Sequence, residues 1–320
     1  MRANDNVTAP RRITGGLGLA VLAVVCFSLS LPATRVAVGG MDPFFVGLGR
    51  AAVAGLLALG YLLLTRAPWP GRRLVRRLLV VAVGVGVGFP LLTSVALVSE
   101  SSAHGAVVIA CLPLATATFA VLRAKERPHA EFWLASALGM ATVLVFVAVS
   151  GGLDGAFSWA DVFLLGAVVL GGWGYAEGGV LAGEIGGART ISWAVVLALP
   201  LTLPVAVLTA DGIGEVTWSQ GIAFGYLAIC TMYLGFFAWY AAMARDGVAR
   251  MGQVQLMQPV LTLGWSAVLL GEEVTLLAVC VALAVLATVV WTQRARVSRG
   301  PRHAADEPAG ERAAVRAGRE

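Results

Sequence analysis

The chain has 320 residues, of which 58% are hydrophobic and 13% charged, with a formal net charge of +5; a soluble domain carries about a quarter charged residues, so water is excluded as its main solvent. The positive balance does not point to nucleic acid, because the basic residues fall in short clusters between apolar stretches and in the C-terminal tail. Cys26, Cys111, Cys230 and Cys280 lie far apart inside apolar stretches, without paired or metal-ligand spacing, and read as packing residues.

A bilayer core about 30 Å thick needs about 20 apolar residues at 1.5 Å each. After a cytoplasmic N-terminus over 1–13, such stretches occur near 14–36, 43–64, 74–98, 103–122, 130–149, 160–182, 190–209, 220–243, 248–270 and 274–292. The expected fold is therefore an all-α polytopic membrane protein with ten transmembrane helices. Arg11 and Arg12 ahead of the first apolar run also fit a signal peptide, but no convincing small-residue cleavage site follows. The segment 293–320 is rich in Arg, Ala, Gly and Pro with almost no large apolar side chains, which predicts a disordered basic cytoplasmic tail.

Lys and Arg are retained in cytoplasmic loops during insertion. One alternating set of connections holds Arg11 and Arg12, Arg66 to Arg77, Arg123, Lys125 and Arg127, Arg189, Arg245 and Arg250, and the arginines of the tail. The other set holds Asp42, Glu100, Asp154, Asp161, Asp211, Glu215, Glu272 and Glu273 without a basic residue. This pattern predicts a multi-pass protein of the inner (plasma) membrane with both termini cytoplasmic.

The sequence also repeats. Pro113 precedes Glu126 by thirteen residues, Pro259 precedes Glu272 by thirteen, and one shift of 146 positions superposes both pairs. The same shift carries Phe27 onto Trp173, Ser94 onto Tyr240 and Glu100 onto Asp246. Two units, 14–149 and 160–292, follow. Each has five helices, an odd number, so the second enters the membrane in the opposite sense. Two inverted five-helix repeats are the basis of alternating access, with a solute site expected near the midplane.

Ten helices in two halves, each with a Pro thirteen residues before a Glu, together with Pro43 and Arg50 at the start of the second helix and the Gly-rich stretch around Trp173, resemble the EamA branch of the drug/metabolite transporter superfamily. The resemblance covers residues 14–292. It implies export or exchange of small metabolites, amino acids or drugs, commonly coupled to an ion gradient. It names no substrate.

Charged groups at membrane depth mark pathways or partners. Arg50, seven residues into the second stretch, is a candidate to attract an anionic group; the alternative is an arginine that snorkels to the outer interface. Glu177, two thirds along the sixth stretch, is a candidate proton carrier, because desolvation there would raise its pKa; the alternative is a solvated end of a shorter helix. Arg35 is expected at the outer interface. Trp173, Tyr175, Tyr233 and Trp239 are aromatic candidates for a solute cavity, against the bland role of interface belts. On the ninth stretch Gln255 and Gln258, three apart, share a face and are preferred to Gln253, with Pro259 freeing a carbonyl nearby; interhelical hydrogen bonding is the alternative.

A single lysine, Lys125, and no Gly-x-x-x-x-Gly-Lys exclude an ATP-binding loop of that type. No hydrolase motif is present, and His104, His129 and His303 form no metal-ligand set. The expectation is a secondary transporter without cofactor or metal, not an enzyme. A membrane scaffold or sensor is the alternative, with an intramembrane enzyme acting on lipid behind it. The expected partners are a small-molecule solute and membrane lipid, with a homodimer left open and no nucleic acid.

Overall fold

The computed structural model describes residues 14–124, 127–128, 130–150, 158–210, 216–246, 254–255, 257–294 and 297–298. Lys125, Glu126, His129, Asp154, Asp211, Glu215, Arg250, Gln253, His303, the N-terminus over 1–13 and the tail from 299 lie outside the described residues. Each expected apolar stretch is helical over at least part of its length. The helices are α1 (Gly16–Val38), α2 (Phe45–Leu64), α3 (Arg72–Ser99), α4 (Ser102–Arg123), α5 (Ala130–Ser150), α6 (Trp159–Ile185), α7 (Gly187–Leu208), α8 (Trp218–Arg245), α9 (Met257–Leu270) and α10 (Leu276–Arg294). Among the described residues seven of them, α1 to α4 and α6 to α8, are long and apolar enough to cross a membrane, while α9 and the part of α10 over Leu276–Thr288 are shorter apolar helices.

Two helices expected to be continuous are broken, and proline explains both. In α1 the helix stops at Ser28 and restarts at Ser30. Pro32 lacks an N–H and its ring crowds the carbonyl four residues back, that of Ser28. The freed carbonyl is not orphaned, since the Thr262 hydroxyl of α9 donates to it at 2.8 Å. In α4 the break falls between Ile109 and Leu112, and Ile109 is the residue four before Pro113. Three further stretches are wound as wide π turns: Phe45–Gly49 in α2, Ala82–Gly88 in α3 and Leu227–Leu234 in α8. Such turns recur at functional sites.

The helices pack across the two halves of the chain. α1 lies on α8, α2 on α7, α3 and α4 on α6, α9 on α4 and α1, and α10 on α5. Replacing each helix by the one five places along returns the same set: α1 with α8 becomes α6 with α3, α4 with α6 becomes α9 with α1, and the other pairs map onto themselves. A close approach is at Gly84 of α3, where an added methyl would collide with the Leu170 carbonyl oxygen and come within 2.9 Å of the Gly174 Cα. Small residues therefore let two backbones from different halves touch.

The connections sort onto two opposite ends. At one end Arg35 donates to the carbonyls of Leu97 and Val98 at 2.6 and 2.8 Å, closing the C-terminus of α3. Beside it the Glu272 carboxylate accepts from the N–H groups of Ser102 and Ala103 and from the Ser102 hydroxyl, at 2.8 to 3.0 Å. A carboxylate is well placed there, at the positive end of the helix dipole. At the other end Trp69 meets Trp193 edge to face. Arg123 sits at this second end, 22 residues along α4 and so about 30 Å from Glu272 by helix rise. Because α9 finishes beside the start of α4, these counterpart helices run in opposite senses. α10 continues to Arg294, and Val297–Ser298 pairs antiparallel with Arg127–Pro128.

Candidate functional site

Where the halves meet, the helices leave a narrow, partly open cavity. α1 contributes Phe27 and Ser30, α2 Arg50, α3 Phe89, α6 Tyr175, α8 Thr231 and Phe236, and α9 Gln258. All three wide turns serve it: Arg50 follows the first directly, the second carries Val85, and the third carries Thr231 and Met232. A smaller crevice adjoins it between α1, α4 and α9, around both proline breaks, and is lined by Pro113, Pro259, Gln255 and Gln258.

Among the described residues Arg50 is the one charged side chain on either wall. It is 2% exposed. Its Nη1 donates to Thr34 Oγ1 at 3.4 Å and its Nη2 to Thr93 Oγ1 at 3.2 Å. Each of those hydroxyls spends its own proton on a backbone carbonyl one turn back, Ser30 and Phe89, at 2.7 Å, which leaves lone pairs facing the guanidinium. Arg50 Nε has no partner, and among the described residues no carboxylate pairs with Arg50. Burying a charge without a counter-charge costs several kcal/mol, and among the described residues Arg50 is not part of an ion pair. The alternative of an interface arginine is set aside by its burial.

Of the other residues singled out in the sequence, Tyr175 and Gln258 reach the main cavity and Gln255 the adjoining one. Trp173 does not: it is 41% exposed on the outer surface of the bundle. Residues two apart on a helix point about 200° apart, so Trp173 and Tyr175 could never share a wall. Trp239 is buried behind the cavity, its ring 6.2 Å from Phe27 and 6.3 Å from Tyr175. Tyr233 turns towards α7, with its hydroxyl 3.0 Å from Ser192 Oγ. Phe27, Phe89, Thr231, Phe236 and the two threonines that hold Arg50 were not picked from the sequence.

Glu177 is not the lone carboxyl that a proton carrier buried in apolar surroundings requires. It is 6% exposed, but one oxygen accepts from Arg77 Nε of α3 and the other from Arg123 Nε of α4, the latter at 2.8 Å. Arg77 also pairs with Glu184. These contacts tie the basic end of α6 to α3 and α4. At the opposite end His104 Nε2 of α4 lies 2.7 Å from Asp161 Oδ1 of α6, and Glu272 holds the start of α4. Polar contacts between the halves thus close the bundle above and below the cavity.

The EamA-like transporter family is matched twice along the chain, over residues 14–148 and again over 158–293. The Bacillus subtilis (strain 168) protein named "Uncharacterized transporter YdeK" is 43% identical over 284 residues, covering 88% of this chain and 98% of that protein. A solved structure titled only "Crystal structure of protein" shares the fold at a TM-score of 0.59 and 18% identity, covering 87% of this chain and 96% of its own.

Proposed function

We propose that this chain, which belongs to the EamA-like transporter family, is a secondary transporter that exports a small solute by alternating access. The observation that carries the reading is the cavity between the halves, with Arg50 unneutralised on its wall. A scaffold has no use for a buried charge left without a partner, whereas a carrier needs a site whose last ligand is the cargo.

In this reading ten helices cross the plasma membrane as two inverted repeats, 14–149 and 160–292, with both termini cytoplasmic. The Arg77, Glu177 and Arg123 cluster then closes the cytoplasmic side, and the contacts of Glu272 and His104 close the outer side. Alternating access breaks one set while keeping the other. Arg50, Tyr175, Gln255 and Gln258 bind the solute. Glu177 keeps a proton-coupling role only through the cluster: while held by two guanidinia it has no reason to take a proton, and opening of the cytoplasmic side frees it to do so.

The test is a vesicle screen. Purified protein in proteoliposomes preloaded with a broad mixture of bacterial metabolites should release some components faster than protein-free vesicles do. A screen in which nothing moves overturns the reading.

A further inference from the structure

We propose that the cavity takes organic monoanions with an apolar, planar body, a substrate class that rests on the transporter reading above. The charge comes first. Arg50 is buried with its Nε unpartnered, and among the described residues no carboxylate lines either space. One negative charge neutralises the site; a dianion leaves one charge unmatched, and a cation finds no acid. Around a buried guanidinium such mismatches are costly.

The body follows from the walls. Phe27, Phe89, Tyr175 and Phe236 line the space, and the Phe236 ring lies 4.9 Å from that of Phe27 and 5.6 Å from that of Tyr175. These rings, inclined at 48° and 85° to one another, give the space aromatic walls that favour a flat apolar ligand, because aromatic pairs gain beyond area burial when stacked or edge to face. The Gln258 side chain lines both spaces and its Oε1 is buried without a partner, which leaves room for a single further polar group on the ligand. Neutral acceptors of this kind do not replace the hydration of an ammonium, so the zwitterion of an amino acid should fit less well than the acid lacking the amine.

Three compounds with one phenylethyl body separate these charges: 3-phenylpropanoate, phenylalanine and phenethylamine. Acetate tests the body. Binding to the purified full-length protein is read by intrinsic tryptophan fluorescence and by calorimetry, with the same compounds offered in the proteoliposome screen. We expect 3-phenylpropanoate to bind at least about tenfold more tightly than phenylalanine or acetate, and phenethylamine to show no saturable binding. Arg50→Gln should abolish the binding of 3-phenylpropanoate and Arg50→Lys should weaken it, since an ammonium keeps the charge but not the fork. If neither variant folds, the wild-type charge series decides alone. Equal or tighter binding of phenylalanine or phenethylamine overturns the substrate class. So does a screen in which other metabolites move while none of the four compounds binds, and in both cases transport itself stands. If none binds and no metabolite moves, both readings fall together.

Discussion

Pro113 and Pro259, equivalent positions of the two repeats, line the same small space between α1, α4 and α9. The repeat is thus visible as geometry at the point where the halves meet. It also places irregular backbone beside the cavity, because Pro113 removes a helical hydrogen bond next to a space that a ligand or water could fill.

The opposed directions of α4 and α9 predict the outcome of labelling. In a background lacking the four native cysteines, single cysteines at Arg123 and at Glu273 should react from opposite sides of the membrane with an impermeant maleimide. Labelling of both from one side would falsify the inverted arrangement.

Thr34 and Thr93 hold Arg50 through lone pairs alone. Thr93→Val keeps the shape and removes one acceptor, at a cost of about 1–3 kcal/mol if the donor stays unsatisfied. Solute affinity should change by about tenfold or more while the yield of folded protein changes little. An unaltered affinity would mean that the guanidinium is positioned by something else.

Glu177 holds two arginines at one end of the bundle. Glu177→Gln should raise the access of water-soluble thiol reagents to a cysteine placed at Thr231, measured from the cytoplasmic side. It should also abolish uphill transport driven by a proton gradient while sparing solute exchange. Retention of full uphill transport removes Glu177 from coupling.

Trp173 faces outward and Tyr175 inward, so their leucine variants should diverge. Trp173→Leu is expected to leave solute affinity unchanged and to shift stability by about 0.5 kcal/mol or less. Tyr175→Leu should lower affinity by at least about tenfold. Solute titrations on both purified variants make the comparison.

Gly84 touches the Leu170 carbonyl, whereas a methyl at Gly60 would meet nothing within 4 Å. Gly84→Val should destabilise the bundle by about 1–3 kcal/mol through overpacking. Gly60→Ala should be neutral or stabilising by up to about 1 kcal/mol. Thermal unfolding in detergent distinguishes them.

Helix positions and the grouping of loop charges were legible because length, hydropathy and the placement of arginine are one-dimensional properties. Arg50 and Gln258 were legible for the same reason, as polar groups where lipid allows few. Facing was not. α6 is apolar nearly all round, so its sequence has no periodicity to say that Tyr175 points in and Trp173 out. Nor could the surroundings of Glu177 be read, since its partners lie 54 and 100 residues away. The break in α4 was implicit in Pro113 once the carbonyl it crowds was counted, and the break in α1 in Pro32.

The wide turns beside Arg50, Val85 and Thr231 have a mechanical corollary. A π turn holds one surplus residue, so everything beyond it is offset by about 100° from an uninterrupted helix. Passing that surplus along the strand of hydrogen bonds would swivel the cargo-facing side chains step by step without melting the rod that bears them. The lining of the cavity could then be retuned from within each helix, independently of any rocking of one half against the other.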